Sequence, residues 1–355
     1  MPTLWFWFVA LMLAIYVVLD GFDLGVGIVH LGVARTDAER RAVIGSIAPV
    51  WDGNEVWLIA AGGTLFFAFP VLYASSFSGF YLPLMMVLWL LVLRGISVEF
   101  RSQIAGGVWP PFWDLTFCLS SALLAIFFGA ALGNVVRGVP LDAQGYFFEP
   151  LWTNFRFDAD AGILDWYTIL IGVAAYLALA MHGALWVAYK CEAEIAARAR
   201  RIAKLGFLAV LVVTLLVTLI SLRIQPHILI TLSSYPWGFV FPAIVIGSLA
   251  GIFYYLRAAN TVANARRAFV HSCGYLLGML TSVAFGLYPY VLPARAGPAL
   301  SLSIYNSRTS GQALRIGLAW WIVGMILATV YFICLYRRFS GPVRPAETHS
   351  YDQTP

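Results

Sequence analysis

Long apolar stretches, each closed by a short polar or basic segment, dominate the pattern along this chain. About 20 apolar residues span the hydrocarbon of a membrane as one helix. On that measure nine spans are predicted, at residues 4–29, 46–69, 74–93, 112–135, 163–188, 207–222, 237–256, 272–291 and 314–336. The connections are short, and no soluble domain fits within any of them. The chain therefore divides into residues 1–136 (spans one to four), 137–162 (the longest outer loop), 163–292 (spans five to eight), 293–339 (an outer loop and span nine) and 340–355. That last stretch, with three prolines among polar residues, is expected to be a disordered cytoplasmic tail.

Composition sharpens the class. The chain is 61% hydrophobic and 11% charged, against about 25% charged in a soluble domain, so an all-α integral membrane protein is expected. Thirteen Trp, 17 Tyr and 25 Phe suit interfacial aromatic belts. The basic residues then test the span count. Sixteen of the 22 Lys and Arg follow odd-numbered spans: Arg35, Arg40, Arg41, Arg94, Arg101, Lys190, Arg198, Arg200, Arg201, Lys204, Arg257, Arg266, Arg267, Arg337, Arg338 and Arg344. By the positive-inside rule the N-terminus is outside and the C-terminus cytoplasmic. The basic balance thus reports topology, not affinity for nucleic acid. No basic stretch precedes the first apolar run, which reads as a retained span and not a signal peptide. The four cysteines are scattered without a C-x-x-C, so neither a thiolate metal site nor a disulfide framework is expected.

Polar groups inside the spans are where chemistry is expected, because hydrocarbon solvates charge badly. The second span contains WDGNEVW at residues 51–57, which puts Asp52, Asn54 and Glu55 just inside it. Asp52 and Glu55 are three apart and share a helix face. Pro49 suits the first turn of this span, and the positive end of the helix dipole favours acids at its cytoplasmic mouth. The first span carries LDGFDLGVG at residues 19–27. Asp20 and Asp23 are again three apart, and Gly21 with Gly25 forms a G-x-x-x-G that lets another helix approach closely. Asp20 lies roughly 13–15 Å from the cytoplasmic end of its span, near mid-membrane, with Asp23 one turn nearer the cytoplasm. The four acids form a depth series, from Asp52 and Glu55 to Asp23 and Asp20, that a proton path from the cytoplasm would need. The alternative is that Asp52 and Glu55 only cap a helix and Asp20 pairs with a neighbour. The residues leave both open.

Other polar positions carry blander readings. Glu99, between Arg94 and Arg101 at the inner end of span three, reads as an ion-pair anchor. Asp114 and Asp165 open spans four and five and read as first-turn acids complementing the dipole. His182, inside span five, could ligate haem iron or accept protons, but a hydrogen-bonded histidine packed near Gly183 is the simpler reading. His30, His227 and His271 lie near span ends and read as interfacial. Residues 190–204, with Glu192, Glu194 and Arg198 at helical spacing, read as a solvated extension of span five. YFFEPLWTNF, in the long outer loop, suggests a segment lying on the membrane or on a partner. No H-x-x-x-H or E-x-x-H spacing offers a metal site, and no P-loop or G-x-G-x-x-G supports nucleotide-driven pumping. A secondary transporter would share its polar cluster between two halves, whereas these acids crowd into the first two spans.

LDGFDLGVG at 19–27, IAPVWDGNEVWL at 47–58, FSGFYLPL at 77–84 and RGISVEFRSQ at 94–103 follow the order and spacing of subunit II of the cytochrome bd-type quinol oxidases, which this chain resembles. GLYPYVLP at 286–293 extends the likeness more weakly. The resemblance implies nine transmembrane helices, as two four-helix bundles plus one peripheral helix, in the bacterial cell (inner) membrane. It implies a larger partner, subunit I, that holds two b-type haems, haem d and the quinol-oxidising loop, so no cofactor is assigned to this chain. The complex oxidises quinol, reduces O2 to water with cytoplasmic protons and so helps to build proton-motive force in aerobic respiration. Membrane lipids, quinone and a small accessory single-span subunit are the other partners it admits. In the family the acid of W-D-G-N belongs to a proposed proton entry route, which carries to Asp52. The acids of D-G-F-D, here Asp20 and Asp23, are linked to proton or cation handling at the subunit boundary. A purely structural subunit, its acids pairing across helices, is the other reading. Around residues 223–236 the outer loop is short, where other members carry a long insertion; that puts in doubt a quinone or extra subunit held there.

Overall fold

The computed structural model describes every residue except 105, 157, 159, 160, 192 and 344–355. Its helices run in chain order α1 (Pro2–Val33), α2 (Asp37–Gly45), α3 (Trp51–Ala68), α4 (Pro70–Gly79), α5 (Tyr81–Phe100), α6 (Trp109–Arg137), α7 (Trp166–Lys190), α8 (Ala193–Ile224), α9 (His227–Ser234), α10 (Val240–Arg257), α11 (Val262–Leu287) and α12 (Gly311–Arg338). A short strand β1 (Tyr290–Leu292) pairs antiparallel with β2 (Leu302–Ser303). Among the described residues, eight helices are long and apolar enough to cross a membrane: α1, α5, α6, α7, α8, α10, α11 and α12. The helix α3, predicted as the second span, is not one of the eight, and its first five residues include Asp52, Asn54 and Glu55.

Several predicted boundaries move, each for a local reason. Residues 46–50 form turns, so the second span starts at Trp51 and Pro49 precedes the helix. The predicted third span is broken at Phe80, and α5 runs on to Phe100, which carries Arg94 and Glu99 inside a helix. Pro70 opens α4 where its missing N–H costs nothing. The segment at 190–204 does not extend the fifth span. Helix α7 stops at Lys190, Cys191 is extended, and the basic stretch begins α8 instead. Residue 192, and the expected tail from 344 onward, lie outside the described residues. Helix α11 starts at Val262, capped by the Thr261 hydroxyl on the Asn264 N–H. That puts His271 well within a helix, not at a span end.

Helix α1 is the centre of the packing. Every residue from Asp20 to Gly27 is buried, so this stretch is covered on all sides, by α3, α6, α7 and α11. The closest approach is backbone to backbone. A Cβ on Gly25 would lie 2.0 Å from the Leu179 carbonyl oxygen, and one on Gly183 would lie 2.0 Å from the Gly25 carbonyl carbon. Gly27 instead meets side chains of α6, where the Ser121 hydroxyl occupies the place its missing Cβ would take. Small residues are what allow such contact where no hydrophobic effect drives helices together. By contrast, α12 buries only Leu314 and leaves Trp320 75% and Leu327 66% exposed, an apolar surface suited to lipid or a partner.

Gly183→Ala is therefore expected to lower the unfolding temperature of the detergent-solubilised protein, because overpacking costs about 1–3 kcal/mol and the atoms met are rigid backbone. Gly62→Ala, where a Cβ meets nothing within 4 Å, is expected to leave it unchanged.

Candidate functional site

The acids of the two motifs meet where α1, α3 and α5 cross. Along α3 the buried residues are Asn54, Trp57, Ala61 and Ala68, one stripe at helical spacing that faces α1. Asn54 therefore points at α1, while Asp52 is exposed in the first turn. From α5, Arg94 enters the contact with its side chain 2% exposed. Its Nη1 donates to Asp20 Oδ1 at 2.6 Å and its Nη2 to Glu55 Oε2 at 2.8 Å. The Trp51 ring lies 5.7 Å from the guanidinium carbon, a further favourable contact for the cation. Asp23 forms a second branch. Asn54 Nδ2 donates to Asp23 Oδ2 at 2.8 Å, and the Tyr336 hydroxyl of α12 donates to Asn54 Oδ1 at 2.8 Å.

Exposure falls steadily along the first branch. Asp52 is exposed, the Glu55 side chain is 22% exposed and the Asp20 side chain 0%. One guanidinium faces three carboxylates in this cluster, a charge imbalance that protons or a cation can neutralise. Among the described residues, Asp23 Oδ1 is buried here without a hydrogen-bond partner, and the buried Tyr16 hydroxyl lies against the Asp20 carboxylate. Asp52 makes no ion pair among the described residues.

The predicted anchor of Arg94 and Arg101 on Glu99 is not what forms. Glu99 is exposed, and both arginines turn to other carboxylates. Glu99 lies five residues from Arg94 and two from Arg101, outside the three- and four-residue spacings that bring helical side chains together; Arg94 meets α1 and α3, while Arg101 meets α2 and α6. Arg101 Nε donates to Asp114 Oδ1 at 2.6 Å and its Nη2 reaches Asp37 Oδ1 at 2.8 Å. His30 Nε2 and Arg40 Nη1 complete the shell of Asp114, at 2.7 and 3.0 Å. Asp114 is thus a buried fastener of four helices, more than a dipole-complementing acid, and His30 is buried rather than interfacial. Nearby, burial would raise the Glu39 carboxyl, but the Arg198 guanidinium and the Arg35 and Thr36 N–H groups outweigh it and hold it below the usual range.

A separate cluster sits at the opposite end of the molecule. Gly138, at φ 88°, ends α6, and the Asp165 side chain caps α7 through the Tyr167 and Thr168 N–H groups. Arg137 joins them: it pairs with Asp165 and donates to Glu149 Oε1 at 2.7 Å and Asn134 Oδ1 at 2.6 Å. Arg295 also pairs with Glu149. Burial pushes the Glu149 carboxyl up despite both arginines. Within YFFEPLWTNF, Phe147 and Glu149 are plugged into the fold, while Phe148 is 83% exposed.

Across residues 1–339 the sequence matches the model of the cytochrome bd terminal oxidase subunit II family. The chain belongs to that family. It is a multi-pass membrane subunit of an oxidoreductase complex, the cytochrome bd oxidase of respiratory electron transport. It is 30% identical to a probable cytochrome oxidase subunit 2 of Haemophilus influenzae, over 95% of this chain and 94% of that one. It is 28% identical to the cytochrome bd-I ubiquinol oxidase subunit 2 of Escherichia coli, over 95% and 93%. The fold matches a chain in the structure of bd oxidase from Geobacillus thermodenitrificans, with a TM-score of 0.74, 19% identity and coverage of 95% and 98%.

His182 is the one residue for which the sequence offers haem ligation, beside the simpler reading of a packed, hydrogen-bonded histidine. Its Nδ1 is 2.7 Å from the Ser272 hydroxyl and its Nε2 is 3.0 Å from the Val18 carbonyl oxygen. The ring also stacks on Phe269 at 4.9 Å. With both nitrogens engaged and its face covered, His182 does not fit a haem iron. No cluster of His, Cys, Asp or Glu suited to a metal ion occurs among the described residues. The short connection after α8 is filled by α9, whose His227 bonds the Tyr288 carbonyl. Asn54 sits in the motif that sequence reasoning singled out, but Tyr336 was missed. It lies 282 residues away in the chain, and no local signal ties the two.

Asp114→Ala would leave the buried Arg101 guanidinium only the exposed Asp37 carboxylate, and His30 without its acid partner. The assembled protein is expected to lose about 3–5 kcal/mol of stability, read as a fall in unfolding temperature, while Glu99→Ala is expected to change little.

Proposed function

We propose that this chain works as subunit II beside a subunit I that holds the haems b and d and oxidises quinol, and that it supplies the inlet through which cytoplasmic protons reach the O2-reducing site. The observation that carries the reading is the series from exposed Asp52, through largely buried Glu55, to fully buried Asp20, with Glu55 and Asp20 held on one guanidinium at 2.8 and 2.6 Å. Reduction of O2 to water consumes protons, and carboxyls graded from the surface inward are suited to deliver them. Arg94 does not itself release a proton, because a guanidinium stays charged throughout the biological range. It holds negative charge at two depths, so that the acids on either side remain open to protonation. Asp23, tied to Asn54 and through it to Tyr336, is a side branch one turn from Asp20.

In this reading α3 is a ninth span, and the helices form two four-helix bundles with α12 peripheral. The end carrying α2 faces the cytoplasm of a bacterial cell, with the N-terminus outside. The excess of basic residues at that end supports this orientation. The double ion pair of Arg94 favours a second reading, in which these acids only fasten α1, α3 and α5. Asp52 separates the two, because it takes no part in the fastening.

Asp52→Asn is expected to lower quinol oxidase turnover roughly tenfold, equivalent to about 1.4 kcal/mol on the barrier, while the haem spectrum of the purified complex stays intact. Unchanged turnover across the pH range would remove the inlet. Loss of the haem d band together with assembly would favour the fastening role.

A further inference from the structure

Helices α8 and α10 diverge and leave a groove of about 730 Å³, lined by Lys204, Phe207, Leu208, Leu211 and, across from them, Ile246, Leu249, Ala250, Phe253 and Arg257. On α8, Lys204, Phe207, Leu208 and Leu211 fall at i, i+3, i+4 and i+7, one face of the helix. On α10, Ile246, Leu249, Ala250, Phe253 and Arg257 make the matching stripe. The floor is buried, with Phe207 and Leu249 each 9% exposed, while the walls stand open, with Leu208 63% and Ile246 68% exposed. All charge lies at one end. From Arg257 to Ile246 the groove runs roughly 16 Å along α10, about half of a hydrocarbon core and so one leaflet deep.

Among the described residues, neither cation at the mouth has a carboxylate partner within the fold. Arg200, one turn before Lys204, donates from Nη2 to the carbonyls of Tyr255, Leu256 and Ala258 and so closes the end of α10. Arg257 is thereby released from capping. It lies over the Phe253 ring at 4.1 Å, and neither it nor Lys204 pairs with a carboxylate among the described residues. Glu194, the nearest acid on α8, is already paired with Arg198.

We propose that this groove is a binding site for one anionic phospholipid, its phosphate held between Lys204 and Arg257 and an acyl chain lying on Phe207, Leu211 and Leu249. Two unpaired cations at the headgroup level over an apolar channel one leaflet deep match that molecule. A zwitterionic lipid carries its own cation, and a protein segment would leave the charges unanswered.

The test uses the complex with subunit I, purified in detergent, stripped of lipid and titrated with dioleoylphosphatidylglycerol or dioleoylphosphatidylcholine, with bound lipid counted by native mass spectrometry. The wild type is expected to hold one phosphatidylglycerol about 30-fold more tightly than Lys204→Ala/Arg257→Ala, the effect of two cations near a lipid surface. Leu211→Trp, which fills the groove and keeps the charges, is expected to weaken the same binding. The exchange Lys204→Arg is expected to preserve it, and phosphatidylcholine is expected to bind wild type and double variant alike. Equal phosphatidylglycerol affinity in wild type, double variant and Leu211→Trp would overturn the site. So would displacement of the lipid by equimolar inorganic phosphate, or cross-linking of Leu208→Cys to subunit I or to a second copy, since protein would then cover the groove.

Discussion

Removing the Arg94 guanidinium from water costs several kcal/mol unless its donors find charge, and that cost organises the middle of this chain. The side chain is 2% exposed and is answered by Asp20 from α1 and Glu55 from α3. Three helices must therefore cross at one depth and in one rotation. Helix α1 has no freedom to adjust, since Gly25 and Gly183 already bring its backbone against α7. The depth of Asp20 is thus set by a steric contact on one side and an ion pair on the other. Asp23 follows, one turn along, onto Asn54.

The buried acids divide by how fully their oxygens are used. Asp114 receives donors on both oxygens, from His30, Arg40 and Arg101. Asp165 gives one oxygen to two N–H groups of α7 and the other to Arg137. Such carboxylates are saturated, and adding a proton would break contacts that hold helices together. Among the described residues, Asp23 keeps one buried oxygen without a partner, and the Asp20 carboxylate, beyond its pair with Arg94, lies against the buried Tyr16 hydroxyl.

Much of this was legible in the sequence, and the failures have a common physical cause. Apolar run length placed eight of the spans, and the three-residue spacing put Asp20 with Asp23 and Asp52 with Glu55 on shared faces. Partner choice was not legible. Arg94 and Arg101 sit close to Glu99 in the chain, yet the pairings that form span 74 residues for Arg94–Asp20 and 282 for Tyr336–Asn54. Sequence proximity rewards local pairs, whereas a buried cation is decided by which carboxylate shares its desolvated crossing. Helix ends were also misjudged where an extended residue, as at Cys191, cut through a stretch whose side chains alone would continue a helix.

The basic residues that report topology prove to be two physical populations. Lys190 donates to the Phe339 and Gly341 carbonyls, Arg198 to the Val33 carbonyl and Arg200 to three carbonyls at the end of α10. These cations satisfy the unpaired carbonyls and the negative dipole at helix C-termini, which odd-numbered spans all present at the same end. Part of the charge asymmetry along the chain is therefore a consequence of capping, since helices ending on one side need donors on that side. Lys204 and Arg257 have no such duty, because Arg200 has taken it from them. Charge left over after the helix ends are closed is free to meet water, counter-ions or an anionic headgroup at the membrane surface.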